Sequence, residues 1–148
     1  MNTIRAGLIG GGMMGNAHAA ALRRLGFIDV AAIAERDMDT AKKAQEMITI
    51  SKAYGDYREM IEDKDIDVIH VLTPNKFHYQ MAKEAVQAGK HVMCEKPLAM
   101  NYKEGLDLLD AARKSGKCYA INHNMRYYPM VKQSRSYVQA GDIGDVRL

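Results

Sequence analysis

Three glycines near the amino terminus, Gly10, Gly12 and Gly15, have the spacing GxGxxG. A short apolar run precedes them, and a segment with apolar side chains at helical spacing follows. In a strand–turn–helix of this kind, the first glycine permits a tight turn and the second lets the backbone approach a diphosphate. The third lets the helix pack closely on the strand. The amide groups at the helix start would then bind the anion. The pattern predicts a dinucleotide-binding turn; the alternative is a glycine-rich turn without a ligand.

Glu35 ends the second apolar run and bears on which dinucleotide could bind. Its carboxylate can accept hydrogen bonds from both hydroxyls of an adenosine ribose, and it would repel a 2′-phosphate, which favours NAD over NADP. Arg36 keeps NADP possible, because a guanidinium can pair with a phosphate or stack on adenine. A solvent-facing arginine is the other interpretation of this residue.

Thr73, Pro74 and Asn75 follow a further apolar run, and His78 comes three residues after Asn75. Ligands of open α/β sheets bind at the carboxyl ends of strands, which makes this segment a candidate contact. A structural interpretation also accounts for it, since Pro74 can end the strand and Asn75 can cap the next helix. His78 would then lie in the first helical turn, as a packing or capping group or as a substrate contact.

Lys96 lies between Glu95 and Pro97, at the end of another apolar run. Proline favours an extended conformation at Lys96 and ends the strand there. The ammonium group is thereby placed at the ligand edge of the predicted sheet. A lysine whose pKa is lowered by desolvation near a cationic ring can act as general acid or base, and Glu95 would oppose that shift. The alternative is a surface lysine before a turn.

Short strand-like runs alternate with helical segments along the whole chain. Strands are predicted at residues 4–9, 27–34, 50–54, 68–72, 91–95 and 118–122. Helices are predicted at 13–25, from a cap at Asp37 or Asp39 to 48, briefly after a capping box at 56–59, at 76–88, and from a cap at Asn101 to 115. Because strand and helix alternate, we expect a doubly wound, mostly parallel α/β sheet of the Rossmann type.

The composition excludes several classes of protein. The 148 residues are 47% hydrophobic and 26% charged, as in ordinary globular domains. Basic residues are dispersed and the net charge is only +3, so no nucleic-acid partner is expected. No apolar stretch approaches the ~18 residues of a membrane span. Cys94 and Cys118 stand alone in apolar surroundings, so we expect reduced cysteines, no metal and a cytoplasmic protein without a signal peptide.

The last residues differ in pattern from the rest. We expect a helix at 129–140, a turn at 141–145 and the start of a strand at 146–148. We therefore expect a dinucleotide-binding domain over 1–123. Residues 124–148 would form a connecting helix and the start of a substrate-binding α+β domain, which makes this chain the front part of a longer protein.

Three segments together resemble the Gfo/Idh/MocA oxidoreductases. They are GLIGGGMMGNAHAAAL at 7–22, TPNKFHYQMAKEAVQAGKHVMCEKPLAMN at 73–101 and NHNMRYYP at 122–129. The resemblance implies the nucleotide-binding half of an NAD(P)-dependent dehydrogenase. The full enzyme would transfer a hydride between nicotinamide and a hydroxyl-bearing carbon of a sugar, polyol or related compound. It also implies a homo-oligomeric full-length protein. A chain lacking the second domain would bind dinucleotide weakly and turn over slowly or not at all.

The resemblance also assigns roles to individual residues. Lys96 would exchange a proton with the reacting oxygen, and Arg126 would lie near the junction with the second domain. The residues assigned to cofactor binding are Gly10, Gly12, Gly15 and the backbone of Met13 and Met14 for the pyrophosphate; Glu35 and Arg36 for the adenosine ribose; and Thr73, Pro74, Asn75, His78, Glu95, Lys96 and Asn122 for the nicotinamide side. Two other functions stay open: a dinucleotide-sensing protein without activity, and an NAD-dependent glycosidase related to this family.

Overall fold

The apolar runs of the sequence form the strands of a single sheet in the computed structural model, which describes residues 3–147. The strands are β1 (Ile4–Ile9), β2 (Ile28–Ala34), β3 (Lys52–Tyr54), β4 (Val68–Val71), β5 (His91–Glu95) and β6 (Tyr119–Asn122). Every pairing is parallel, and the order is β3-β2-β1-β4-β5-β6. This is the strand order of the Rossmann fold, so the predicted fold class is confirmed.

Helices connect the strands and cover both faces of the sheet. They are α1 (Met13–Arg23), α2 (Met38–Ile48), α3 (Tyr57–Glu62), α4 (His78–Gln87), α5 (Tyr102–Ser115) and α6 (Pro129–Ala140). Helices α1 and α2 pack on one face around Leu8 and Ile33, which are fully buried. Helices α3, α4 and α5 pack on the other face around Ile69 and Val71. Because both faces are covered, the central strands are mostly apolar and do not alternate between apolar and polar residues.

The crevice of the sheet lies where the strand order reverses, between β1 and β4. From β1 the chain continues to β2 on one side, whereas β4 lies on the other, so the turns after these two strands diverge. Ile9 of β1 pairs with Ala34 of β2 and with Val71 of β4, which aligns the carboxyl ends of all three strands. Ligands of doubly wound sheets bind at this point.

Side-chain caps fix several helix starts as the sequence predicted. Of the two candidate caps of α2, it is the carboxylate of Asp37 that accepts the Thr40 amide, at 2.7 Å. At α5, the Asn101 side chain accepts the Glu104 amide at 3.0 Å, and Glu104 in return accepts the Met100 amide. An aspartate or asparagine at such a position satisfies an amide that the helix itself cannot.

Some predicted bounds were wrong at their ends, for local reasons. Helix α1 ends at Arg23 rather than at 25, before a turn in which Gly26 has φ +73°. The helix predicted at 76–88 is a 3₁₀ turn over Asn75–Phe77 followed by α4, which ends before Gly89 (φ +78°). Residues 27, 50, 51, 72 and 118 lie just outside the strands assigned to them.

The two cysteines differ in environment. Cys94 is buried in β5, and burial raises the pKa of its thiol to about 12. Cys118 is exposed and directly precedes β6, the edge strand of the sheet. Both are free thiols. Among the helices of residues 3–147, none combines the length and apolar character that a membrane crossing requires.

Helix α6 has the predicted bounds and ends at Gly141, which has φ +77°. All of its residues are exposed, and its contacts with the rest of the domain are chiefly to the 3₁₀ turn Asn124–Tyr127. The strand predicted at 146–148 was wrong at Val146 and Arg147, which are irregular, because no neighbouring strand lies beside them among residues 3–147. Position 148 is outside the described residues.

Asp63, which follows α3, joins the β3 edge of the sheet to the segment before β4. Its carboxylate accepts hydrogen bonds from the Lys52 ammonium and the Tyr54 hydroxyl, each at 2.7 Å, and from the Asp65 amide at 2.9 Å. These bonds, first of all that from Lys52, lower the pKa of Asp63 well below its ordinary value. The carboxylate form is thus a preferred part of the folded state.

We expect Asp63 to contribute to acid sensitivity. Its folded-state pKa lies below the unfolded value of about 3.9, so the stabilisation is complete above that pH and is lost as the pH falls towards the folded-state pKa. Asp63→Asn should lower the free energy of unfolding at pH 7 by about 1–2 kcal/mol and flatten its dependence on pH below ~4. Chemical denaturation between pH 3 and 7 measures this. Asp110→Asn, in an exposed pair with Lys114, is the control and should change little.

Candidate functional site

The turn between β1 and α1 has the conformation that the glycine pattern predicts. Gly10 has φ +102°, which favours glycine, and its α-carbon faces the backbone of Leu72 at the end of β4. A β-carbon on Gly15 would overlap the carbonyl oxygen of Gly10, so the helix can approach the strand only without one. A β-carbon on Gly12, in contrast, would meet no atom within 4 Å. The turn is therefore closed on the protein side and open at Gly12.

Helix α1 begins in that open space without a capping side chain. Gly12 is its N-cap residue, and the first turn of the helix contains no acidic residue. The amide groups of Met13 and Met14 are thus presented at the positive end of an 11-residue helix. The side chain of Asn16 donates to the carbonyl oxygens of Gly11 and Gly12, at 3.2 and 3.0 Å, and so holds the loop.

Gly11 has a structural role that the motif did not indicate. Its amide donates to Oε1 of Glu35 at 2.6 Å, which ties the turn after β1 to the end of β2. A β-carbon on Gly11 would lie 2.6 Å from Cβ of Ala44 and 2.8 Å from Cδ1 of Ile33. The signals available in the sequence were the additional glycine between Gly10 and Gly12 and the carboxylate at position 35. Part of the hydrogen-bonding capacity that we assigned to ribose hydroxyls is therefore used within the protein.

A cleft of about 750 Å³ opens beside Glu35, between the ends of β1, β2 and β4. Its walls include Gly10, Glu35, Thr40, Tyr57, Pro74 and Phe77. Arg36 lies at the rim, where its side chain is 84% exposed and pairs with Asp37 at 3.2 Å. Pro74, which we expected on the nicotinamide side, is among the residues that line this cleft, directly before the 3₁₀ turn Asn75–Phe77.

A smaller pocket of about 340 Å³ lies across the sheet crevice, where the turns after β1, β4 and β5 meet. The lining includes Met13, Thr73, Asn75, His78, Glu95 and Lys96. The structure thus brings together residues that the sequence placed at three separate strand ends. It also adds Asn124, from the 3₁₀ turn after β6, a residue of the segment NHNMRYYP to which no role had been assigned.

His78 joins two of these turns and is only 1% exposed. Its Nδ1 lies 2.7 Å from the carbonyl oxygen of Pro97, and its Nε2 lies 2.7 Å from that of Thr73. Both ring nitrogens therefore face backbone acceptors of the protein. Of the roles considered for this residue, the geometry matches packing and not substrate contact.

Glu95 and Asn122 are a cross-strand pair at the ends of β5 and β6. The Asn122 amide donates to Oε1 of Glu95 at 2.5 Å, and the Lys96 backbone amide donates to Oε2 at 3.1 Å. Burial alone would raise the pKa of Glu95, but these bonds and one from His18 lower it below its ordinary value. Glu95 is therefore a carboxylate at neutral pH, and its oxygens are occupied by protein donors.

Two histidines that sequence reasoning missed lie beneath the smaller pocket. His18 of α1 places Nε2 3.3 Å from Oε1 of Glu95, and its Nδ1 lies 2.9 Å from Nδ1 of His70. His70 lies in β4, where burial and the neighbouring His18 lower its pKa to about 4. His18 follows Gly15 by three positions, which places both on the same side of α1. This spacing was the signal available in the sequence.

Comparison with known proteins agrees with this geometry. The family described as an oxidoreductase family with an NAD-binding Rossmann fold matches residues 4–123. Among solved structures, levoglucosan dehydrogenase in complex with NADH and L-sorbose superposes with a TM-score of 0.90 at 34% identity, covering 97% of this chain and 41% of that one. A 3-ketoreductase from Actinomadura kijaniata in complex with NADP gives a TM-score of 0.90 at 31% identity, covering 99% and 47%.

Curated relatives lead to the same assignment. Levoglucosan dehydrogenase of Pseudarthrobacter phenanthrenivorans is 34% identical over 99% of this chain and 40% of its own length. Inositol 2-dehydrogenase of Salmonella agona is 34% identical over 96% and 43%. The chain thus spans about two fifths of the length of these relatives. It belongs to the Gfo/Idh/MocA oxidoreductase family, and residues 4–123 form its NAD-binding Rossmann domain.

Proposed function

We propose that this domain binds the cofactor of an NAD(P)-dependent oxidoreductase, along the crevice at the carboxyl ends of β1, β2, β4 and β5. The open, uncapped start of α1 between the two pockets carries this proposal. Its free amide groups and the open space at Gly12 suit an anionic diphosphate. From there the adenosine would extend into the cleft beside Glu35, and the nicotinamide into the pocket beside Lys96.

The space around Gly12 shows whether the turn leaves room for the cofactor. A β-carbon there would meet no protein atom, so the backbone faces room for a ligand rather than a packed core. The residues that would hold the cofactor are Gly10, Gly12, Met13, Met14 and Gly15 at the diphosphate; Glu35, Arg36 and Pro74 at the adenosine; and Thr73, Asn75, His78, Glu95, Lys96 and Asn122 around the nicotinamide. In the last group, the side chains of His78, Glu95 and Asn122 contact protein groups and would act by positioning neighbouring residues.

Lys96 is the residue that we assign to proton transfer. The bound cofactor supplies the hydride-transfer chemistry. Lys96 is exposed at the mouth of the smaller pocket, directly after β5, while its backbone amide is held by Glu95. Its Nζ can take the proton from a substrate hydroxyl on oxidation and return it on reduction. Glu95 cannot take this role, because both of its oxygens already accept protein hydrogen bonds.

The full-length protein would act on a sugar, a polyol or a related compound. The printed names of the relatives, levoglucosan dehydrogenase and inositol 2-dehydrogenase, support this substrate class, and their greater length supports a second domain. We propose that residues 124–148 connect the two domains, which agrees with the exposure of all residues of α6. We also propose that the full-length protein is cytoplasmic, in line with the two free cysteines of this chain. We propose in addition that it is a homo-oligomer.

Glu35 should set the preference for NAD over NADP. Its charge opposes a 2′-phosphate, whereas Arg36 alone would favour one. Glu35→Gln keeps an oxygen that can accept the Gly11 amide and removes only the charge. We expect NADH affinity to fall about tenfold, equivalent to about 1.4 kcal/mol, and NADPH affinity to rise.

Fluorescence titration with each reduced cofactor measures this change in preference. Glu59→Gln, an exposed carboxylate on α3, is the matched control and should leave both affinities unchanged. If Glu35→Gln weakens both cofactors equally, Glu35 holds the turn without selecting the cofactor.

A further inference from the structure

Four polar side chains from four different elements meet beneath the smaller pocket. They are His18 from α1, His70 from β4, Glu95 from β5 and Asn122 from β6. His70 and Glu95 are each 6% exposed, and the His18 side chain is 10% exposed. Polar groups at this depth cost free energy unless they are paired, and each of these four has a partner within 3.3 Å.

The protons of this cluster can be placed from the chemistry of the contacts. Burial lowers the pKa of His70 to about 4, so its ring is neutral near pH 7 and one proton lies between the two Nδ1 atoms, 2.9 Å apart. If His70 donates this proton, His18 is neutral with its own proton on Nε2. If a neutral His18 donates it, Nε2 carries no proton and turns its lone pair towards Oε1 of Glu95, 3.3 Å away, which is repulsive. The carboxylate therefore favours the first arrangement, in which Nε2 of His18 donates to Oε1 of Glu95.

Glu95 connects His18 to the end of β5, where Lys96 follows. Its Oε1 receives the Asn122 amide and His18 Nε2 from one side, while its Oε2 receives the Lys96 backbone amide at 3.1 Å. Nδ2 of Asn122 and Nε2 of His18 lie 3.1 Å apart, as two donors that converge on the same oxygen. A carboxylate fixed on one oxygen by two donors presents the other in a single direction.

We propose that His18 is a positioning residue, which through Glu95 fixes the backbone amide of Lys96 and thus the direction in which the Lys96 side chain leaves β5. The proposal rests on the proposed function for the importance of Lys96, but the contacts themselves are independent of it. A helix that begins at the diphosphate turn is in this way connected to the residue beside the nicotinamide pocket. Residues 18 and 95 are far apart in sequence and meet only through the order of the strands.

Two substitutions separate the bonds made by the His18 ring. Asparagine places its amide near the position of Nδ1, so His18→Asn keeps a polar group towards His70 and loses the donor to Glu95. Glutamine places its amide near the position of Nε2, so His18→Gln keeps the donor to Glu95. Because glutamine is also one methylene longer than asparagine, stability alone cannot separate loss of the bond from loss of volume, and the effect is therefore followed at the Lys96 amide, which Glu95 accepts.

The readout is the backbone amide of Lys96 in the 148-residue chain, followed by NMR and hydrogen exchange. In His18→Asn we expect the Lys96 amide to exchange about tenfold faster and its proton resonance to move upfield, because the bond to the carboxylate is weakened. His18→Gln should restore both values to near those of the parent chain. Amide resonances of β1 and β2 serve as the internal control and should stay unchanged in both variants.

The results of these experiments separate the role of His18 from the proposed function. Equal Lys96 amide exchange in the parent chain and folded His18→Asn would overturn the proposal. Should His18→Asn fail to fold, long-range ¹⁵N–¹H spectra of the parent chain give the test: a protonated Nε2 on His18 is expected, and a deprotonated one overturns the proposal. Titration of the parent chain with NADH tests the proposed function separately. A chain that binds no NADH but shows the His18 effect on Lys96 would refute the function and keep this inference.

Discussion

Gly15→Ala should destabilise the domain and abolish NADH binding, whereas Gly12→Ala should weaken NADH binding and leave stability nearly unchanged. A β-carbon at Gly15 overlaps the carbonyl oxygen of Gly10, which is a backbone atom of the tight turn and can move only with β1 or α1. Alanine gains up to ~1 kcal/mol of helix propensity over glycine. Forcing an atom into packed structure costs about 1–3 kcal/mol, and contact with rigid backbone places this site at the upper end. The overlap therefore outweighs the gain in propensity.

Gly12→Ala is the matched control for Gly15→Ala, because both variants add one β-carbon and only the surroundings of that carbon differ. Its β-carbon would enter open space, so alanine costs only the loss of a good N-cap residue, about 0.5 kcal/mol. The same carbon would occupy the position where we place the diphosphate. We expect NADH affinity to fall at least about tenfold in Gly12→Ala.

Thermal unfolding and NADH fluorescence titration of the two variants measure these effects. For Gly15→Ala we expect the Tm to fall by about 3–10 °C, since 1 kcal/mol corresponds to roughly 2–4 °C in a domain of this size. Gly12→Ala should unfold within about 2 °C of the parent chain. Unchanged NADH affinity in Gly12→Ala would place the diphosphate elsewhere and would remove the main support for the proposed function.

Lys96→Ala in the full-length protein should lower kcat by about 10²- to 10⁴-fold, the usual range for loss of a general acid or base. The Kd for NADH should change by less than about threefold, because the amide that Glu95 holds belongs to the backbone and stays in place. Lys96→Arg keeps a positive charge but cannot release a proton near neutral pH. We therefore expect it to be nearly as inactive as the alanine variant.

Steady-state kinetics with a panel of sugars and polyols, together with NADH titration, gives this result. Lys103→Ala, an exposed lysine in the first turn of α5, is the control and should retain full activity. Unchanged kcat in Lys96→Ala would remove Lys96 from proton transfer. Full NADH affinity without turnover of any tested compound would favour a dinucleotide-sensing protein, and release of NADH during turnover would argue against a glycosidase that retains its cofactor.

The strands and the diphosphate turn could be predicted because their signals are local. Gly10, Gly12 and Gly15 lie within six residues, and both the positive φ of Gly10 and the close approach of Gly15 to the Gly10 carbonyl oxygen arise within the turn itself. The central strands are short, mostly apolar runs bounded by turn residues, and their length favours strands over helices without any knowledge of their partners. The caps at Asp37 and Asn101 also depend on residues only three positions away.

Other features required the assembled sheet. Pro74 lines the cleft beside Glu35, and its neighbour Asn75 lines the smaller pocket, a division that the strand end alone does not indicate. Gly11 must be glycine because Ala44 of α2 and Ile33 of β2 lie against it, which no local pattern reveals. His78 was placed correctly in sequence, but only the structure shows that both of its ring nitrogens face carbonyl oxygens.

The amino-acid sequence by itself determined the order of strands and helices, the shape of the first turn and the presence of Lys96 after a strand. Local sterics and hydrophobic periodicity are sufficient for all three. Only the tertiary structure decided that His18, His70, Glu95 and Asn122 meet. Strand order brings β1, β4, β5 and β6 side by side, and a buried polar group then takes whichever donor or acceptor the neighbouring strand supplies.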